Sequence, residues 1–139
     1  MQKIIVDSSV IVKWLSEQDE ERLEHADKII KQAQNNKAIL LVPELAKYEI
    51  GNALVVHKDI SIGEASIVFE NLFSFPIQFV SQSYELVNET YKIAKNTRIT
   101  YYDASFMALA KQENAVLVTD NPKHQRKLKG VKVIALKDY

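Results

Sequence analysis

The chain has 139 residues, of which 47% are hydrophobic, and its 18 acidic and 18 basic side chains give a formal net charge of zero. This length suits a single domain spanning residues 1–139, and the neutral balance excludes a global positive field that would attract nucleic acid. The absence of cysteine excludes disulfides and thiolate catalysis. Because the N-terminus lacks a signal-peptide pattern and no apolar run could span a bilayer, we expect a cytoplasmic protein without membrane contact.

Hydrophobic periodicity predicts alternating strands and helices along the chain. We expect strands at 3–6, 39–42, 77–80, 115–119 and 131–136, and helices at 9–15, 20–35, 43–57, 61–73, 83–95 and 102–113. Pro43 is expected in the first turn of its helix, and this helix is expected to form a hairpin with the next one. Strands that alternate with helices predict a three-layer α/β/α fold, with a mostly parallel sheet of about five strands and an inserted helical hairpin.

Four acidic residues lie within or directly beside apolar segments. Asp7 and Asp120 follow predicted strands, Asp103 begins a predicted helix and Glu49 interrupts another. A carboxylate in apolar surroundings costs free energy unless a partner compensates its charge. Ligands of open α/β sheets bind beyond the carboxyl ends of the strands, and hard divalent cations prefer carboxylate oxygens. The pattern therefore indicates a shared Mg²⁺ or Mn²⁺ site, and such sites hydrolyse phosphodiesters in nucleases.

Three of these acids also have ordinary structural explanations. Asp7 is well placed to cap the helix that follows it, and Asp120 lies in TDNP, a sequence typical of turns. Thr100 and Asp103 have the spacing of a helix cap. Glu49 is harder to explain in this way, because its helical projection lies between Ala53 and Val56, whereas a solvated acid would belong on the side of Lys47 and Gly51. Glu49 is therefore the most informative of the four.

The segments IIVDSSVIVKWL, VPELAKYEIGNAL, TYYDASFMALAK and AVLVTDNPKHQRKL resemble the PIN domain, specifically the small VapC-like ribonuclease toxins of prokaryotic toxin–antitoxin pairs. The resemblance covers nearly the whole chain. In that family an Asp follows the first strand, a Glu lies in a P-x(5)-E-x-x-N-A-L helix, a third acid begins a D-A-x-x-x-A-L-A helix and a fourth follows a strand ending in Thr. Asp7, Glu49, Asp103 and Asp120 match these positions in order. Many relatives carry the last acid two positions after the Thr, where this chain has Asn121.

The resemblance implies a Mg²⁺- or Mn²⁺-dependent endoribonuclease that hydrolyses RNA through a metal-activated water and leaves a 5′-phosphate and a 3′-hydroxyl. The implied catalytic metal ligands are Asp7, Glu49, Asp103 and Asp120, with Asn121 competing for the last position. Ser8, Asn52, Thr119 and Asn121 are expected to orient these ligands or a water.

The resemblance also implies a homodimer and an antitoxin that lays a helix along an apolar groove near the active site. The apolar stretch IVFENLFSFPIQF would serve such contacts, or would simply pack in the core. The basic residues Lys123, Arg126 and Lys127 are candidates for holding RNA phosphates, against the alternative of a solvated helical face.

Two other interpretations remain open from the residues alone. One is a non-catalytic PIN-like scaffold that only binds a partner. The other is a Mg²⁺-dependent phosphoacceptor receiver domain, which would require a pair of acids after the first strand, where this chain has Asp7 alone. A receiver domain would also leave the inward Glu49 unexplained.

Overall fold

The computed structural model describes residues 1–15, 22–123, 125 and 128–139. The elements in chain order are β1 Gln2–Val6, α1 Ser8–Leu15, α2 Leu23–Gln34, β2 Ala38–Pro43, α3 Leu45–Ala53, a π-helical turn Leu54–Lys58, α4 Ile62–Ser74, β3 Ile77–Val80, α5 Tyr84–Thr97, α6 Tyr101–Glu113, β4 Val116–Thr119, β5 Val133–Ala135 and a 3₁₀ turn Leu136–Asp138. The alternation of strands and helices is as predicted, although the predicted start of α2 lies outside the described residues.

The five strands form one parallel sheet in the order β3-β2-β1-β4-β5. In the central strand β1, the consecutive residues Ile4, Ile5 and Val6 are all fully buried. Since successive side chains of a strand point to opposite faces, helices must cover both faces of the sheet. The predicted three-layer α/β/α architecture is confirmed, and every described strand pair is parallel.

Two differences from the predicted bounds affect the sheet. Pro43 does not begin a helix; it ends β2 opposite Val80, and α3 starts at Leu45. The missing N–H of Pro43 is tolerated there because the next N–H, of Glu44, donates to the Val80 carbonyl at 2.9 Å and extends the pairing. The last strand is also shorter than 131–136, because Leu136 already begins the 3₁₀ turn.

The helical pair formed by α3, its π-helical extension and α4 is present, joined by residues 59–61. The ring of Phe69 on α4 lies against Gly51, where an added Cβ would sit 3.8 Å from the ring. The ammonium group of Lys47 lies 4.7 Å and 4.3 Å from the ring centres of Phe73 and Phe79. The side of α3 that the helical projection assigned to solvent therefore packs on the neighbouring helix and strand.

The order in which the chain adds strands to the sheet reverses at the central strand β1. From β1 the chain adds β2 and β3 on one side, and after α5 and α6 it adds β4 and β5 on the other. The carboxyl ends of β1 and β4 thus flank a topological switch point, the position where open α/β sheets form ligand-binding crevices. Asp7 directly follows β1, and Thr119 ends β4. None of the helices in the described ranges combines the length and hydrophobicity that a bilayer crossing needs.

Candidate active site

A cavity of about 120 Å³ opens at this switch point. Three of the four predicted acids line it, and they arrive from separate elements: Asp7 from the end of β1, Glu49 from α3 and Asp103 from the first turn of α6. The other described residues that line it are Ser8, Ser9, Phe106, Asn121 and Gln125. The fold therefore brings together carboxylates that lie far apart in the sequence.

Asp7 both caps α1 and contributes to the cavity. Its Oδ1 accepts hydrogen bonds from the backbone N–H of Ser9 at 3.1 Å and from the Ser9 hydroxyl at 2.5 Å, while Oδ2 accepts one from the Thr119 hydroxyl at 2.5 Å. Burial raises the pKa of Asp7 above its ordinary value of 3.8, although these hydrogen bonds oppose the rise. Asp7 therefore does cap α1, as the sequence indicated. Capping alone does not account for a carboxylate in a buried position.

Glu49 is the second desolvated acid. The Ser8 hydroxyl donates a hydrogen bond to its Oε1. Burial raises the pKa of Glu49 above 4.5, and the negative charges of Asp103 and Asp7 raise it further. Asp7, Glu49 and Asp103 therefore face one cavity, where a cation would offset the charge of the carboxylates around it.

Asp103 lies in the first turn of α6 and lines the cavity. Its backbone N–H donates to the Thr100 hydroxyl at 3.1 Å, which is the N-cap bond that the sequence predicted. From Ala104 to Ala110 every residue of α6 is buried, so the helix is held firmly in the core. The cap and the buried helix fix the position of the Asp103 backbone at the cavity rim.

The fourth predicted acid has a different environment. Asp120 is not among the residues that line the cavity; its carboxylate faces Arg22 at 2.5 Å and 2.9 Å and Lys13 at 3.2 Å. Burial alone would raise the pKa of Asp120, but the hydrogen bonds and charges of Arg22 and Lys13 outweigh it and lower the pKa. Asn121, one residue later, lines the cavity instead. Asp120 has cationic partners, whereas no lysine or arginine in the described ranges forms a salt bridge with Asp7, Glu49 or Asp103.

Comparison with known proteins agrees with this architecture, since the model of the PIN domain family matches residues 4–130. The chain belongs to the PIN domain family. Ribonuclease VapC3 of Pyrobaculum aerophilum is 32% identical over 121 residues, which cover 84% of this chain and 88% of that protein. This membership replaces the receiver-domain interpretation. It also confirms the resemblance to VapC-like proteins that the four sequence segments indicated.

Solved structures show the same fold. VapBC2 of Rickettsia felis, crystallised with a DNA fragment of its promoter, matches with a TM-score of 0.73 at 14% identity, covering 96% of this chain and 98% of that one. A protein of Pyrobaculum aerophilum matches with a TM-score of 0.64 at 26% identity, covering 98% and 92%. The α/β/α arrangement of this PIN domain is therefore shared along almost its full length.

Two hydroxyl groups connect the ends of β1 and β4 in this PIN domain. Ser9 Oγ accepts the backbone N–H of Asp120 at 3.0 Å, and Thr119 Oγ1 accepts that of Asn121 at 3.0 Å. Because both hydroxyls also donate to Asp7, the turn carrying Asn121 is fixed relative to that carboxylate. Thr119 was predicted to orient the ligands, but Ser9 was missed, although a hydroxyl two residues after an Asp is a common local hydrogen-bonding pattern.

The other predicted site residues are less involved in the cavity. Ser8 lines it, whereas Asn52 is exposed and is not part of its lining. Lys123 is exposed, and Arg126 and Lys127 lie outside the described residues. Sequence reasoning also missed Phe106 and Gln125, and it overlooked Lys13, whose isolated charge within VIVKWL was a usable signal for a buried ion pair.

Proposed function

We propose that this PIN domain is an endoribonuclease that requires Mg²⁺ or Mn²⁺ and hydrolyses RNA phosphodiesters. The observation that carries the proposal is the cavity in which Asp7, Glu49 and Asp103 converge, with no cationic side chain among the described residues that line it. The ribonuclease name of the VapC3 relative supports RNA as the substrate class. The metal requirement follows from the chemistry of the cavity rather than from any relative.

The residues present fit a hydrated divalent ion. In the described ranges no three His, Cys, Asp or Glu side chains are arranged to enclose one ion. Mg²⁺ does not need such an enclosure, because it usually binds one or two protein carboxylates and keeps several waters. The cavity supplies carboxylates, and burial raises the pKa of Asp7 and of Glu49, so a cation close to them would favour their charged forms. An oxygen-rich, anionic and partly dry site is what this class of ion prefers.

We assign the roles of the chain's own residues as follows. Asp7 is a rigid ligand because Ser9 and Thr119 hold both of its oxygens. Glu49 is restrained at Oε1 by Ser8, and Asp103 completes the acidic set. When bound, the ion would supply Lewis-acid activation of water and stabilise charge on the phosphate. Asn121 takes the fourth position with its amide oxygen, because Asp120 is held by Arg22 and Lys13.

The same proposal includes a toxin role with a homodimer and an antitoxin partner. Support comes from large apolar side chains that are exposed on the π-helical turn and α4, namely Val55, Val56, Ile62, Ile67 and Phe73; Ile62 is 92% exposed. An apolar groove of about 210 Å³ is lined by residues of α1, α3, the π-helical turn and α4. Sedimentation velocity should give the mass of a dimer, and a monomer at all concentrations would contradict this part of the proposal.

The test of the enzymatic proposal is RNA cleavage by the purified protein. We expect structured RNAs to be cut in Mg²⁺ or Mn²⁺, to stay intact in excess EDTA and to be cut again when the metal is restored. The fragments should carry 5′-phosphates and 3′-hydroxyls. Cleavage that persists in EDTA would contradict the metal requirement, and intact RNA under every condition would favour the non-catalytic scaffold.

A further inference from the structure

The amide of Gln125 is a buried polar group without an evident partner. Gln125 lies between β4 and β5, lines the acidic cavity and is 2% exposed. Among the described residues, neither Nε2 nor Oε1 has a hydrogen-bond partner. Buried side-chain amides are nearly always hydrogen-bonded, to protein or to ordered water, because an unpaired one costs free energy. A group with two unsatisfied atoms at a cavity wall therefore points to something inside the cavity.

The surroundings of Gln125 indicate which kind of group inside the cavity could bind its amide. The amide is close enough to Asp7 to lower the pKa of its carboxyl, but it completes no hydrogen bond of ordinary geometry with it. The cavity volume of about 120 Å³ leaves room for water beside the amide. A water can accept a hydrogen bond from Nε2, or donate one to Oε1, and can donate another to the Asp7 carboxylate. A water therefore fits the unpaired amide and this carboxylate together.

We propose that Gln125 is a positioning residue that holds a water against the Asp7 carboxylate through its side-chain amide. This water is the one that attacks the phosphodiester, an assignment that rests on the proposed ribonuclease function. Its oxygen forms a bond to phosphorus and the bond from phosphorus to the 3′ oxygen breaks. One water proton is released to solvent, and the departing 3′ oxygen takes up a proton to give the 3′-hydroxyl. Gln125 contributes by orienting the attacking oxygen and does not touch the RNA.

Gln82 offers a matched control. Its Nε2 is also buried without a hydrogen-bond partner, but the residue lies in the connection between β3 and α5 and is not part of the cavity lining. Gln125→Met and Gln82→Met both replace an amide by an apolar side chain of similar length. Only the first change removes a polar group from the acidic cavity, so general effects of losing a buried amide are common to both variants.

The first readout is structural and independent of activity. Crystal structures of the metal-free wild type and of Gln125→Met should show an ordered water that bridges the Gln125 amide and the Asp7 carboxylate in the wild type only. Gln82→Met should retain this water. A wild-type amide that faces an empty space, or that is paired with a protein group, would overturn the proposal.

The second readout separates catalysis from binding. Gln125→Met should lower kcat by about 10-fold or more, the effect expected for a group that orients another, while KM and the Mn²⁺ dissociation constant measured by calorimetry stay within about twofold. Gln82→Met should leave kcat unchanged. An unchanged kcat, or a loss confined to KM or Mn²⁺ affinity, would overturn the proposal. If Gln125→Met does not fold, Gln125→Asn withdraws the amide by one methylene and must show the same loss of kcat.

Failure of this inference is distinguishable from failure of the proposed function. A wild-type protein that cleaves no RNA would refute the ribonuclease, and the crystal structures alone would then decide whether Gln125 holds a water. A wild type that cleaves RNA, together with a fully active Gln125→Met, would refute only the role of Gln125.

Discussion

Glu49→Gln is expected to abolish most RNA cleavage and, at the same time, to make the metal-free protein more stable. We expect cleavage to fall by more than about 100-fold, since groups that merely orient metal ligands already contribute about 10- to 100-fold. The gain in unfolding free energy should be on the order of 1 kcal/mol, a common size for a single substitution. Its cause is the removal of a desolvated charge that Asp103 and Asp7 repel. The substituted amide can still accept the hydrogen bond from Ser8.

The sign of the pH dependence follows from the direction of the pKa shift. Burial raises the pKa of Glu49 in the folded state above its ordinary value of 4.5, so between these two values the folded state binds more protons than the unfolded state. Stability therefore falls as pH rises through that window. The advantage of Glu49→Gln should be small near about pH 4 and larger near about pH 8. Urea unfolding in EDTA at both pH values measures this difference.

Glu89→Gln is the matched control for this prediction. Glu89 pairs with Lys111 at 2.6 Å outside the acidic cavity, so the same change from carboxylate to amide should leave cleavage unchanged and give no gain in stability. A Glu49→Gln protein that cleaves RNA normally would contradict the proposed ligand role. One whose stability relative to wild type does not change with pH would contradict the desolvation argument.

Asp120→Asn is expected to lower stability and spare cleavage, whereas Asn121→Ala is expected to lower cleavage and spare stability. Loss of the Asp120 charge leaves the Lys13 side chain, which is only 4% exposed, without this carboxylate. Breaking a buried ion pair typically costs about 3–5 kcal/mol, and we expect about 2 because the Asp120 side chain is partly exposed. The cleavage rate per folded molecule should change little. Asn121→Ala should leave stability nearly unchanged and lower cleavage by about 10-fold or more.

Denaturant unfolding and cleavage kinetics of the two variants decide whether Asp120 or Asn121 is the fourth ligand. A stable but inactive Asp120→Asn protein, with a fully active Asn121→Ala, would return Asp120 to the ligand position that the family resemblance gave it. The contribution of Asp120 to stability also depends on pH differently from that of Glu49. Because its pKa is lowered in the folded state, its stabilising contribution is lost as pH falls through and below 3.8, the opposite direction from Glu49.

The fold and the first three site residues were accessible from sequence because they depend on local patterns. Alternating strands and helices dictate a parallel sheet, and a parallel sheet places Asp7 at the ligand-binding edge. Glu49 was informative because its apolar surroundings left no ordinary role for a carboxylate. These inferences need only periodicity and the cost of burying charge.

The remaining features depend on contacts between distant residues, which periodicity does not encode. The helical projection predicted the wrong solvent side for α3, because α4 and β3 cover Lys47 and Gly51. Asp120 and Asn121 differ in environment because Lys13 of α1 and Arg22, which precedes α2, pair with Asp120. No local signal marks Gln125 as a cavity residue. Such assignments require knowing which side chains meet across the sheet.

The most direct test of the central claim is to locate Mn²⁺ by anomalous scattering in a crystal of the protein. We expect an anomalous peak in the cavity formed by Asp7, Glu49 and Asp103, with Asn121 nearby and Asp120 still paired with Lys13 and Arg22. A peak coordinated by Asp120 outside this cavity would contradict the assignment of the site. The absence of any peak at Mn²⁺ concentrations that support RNA cleavage would contradict it as well.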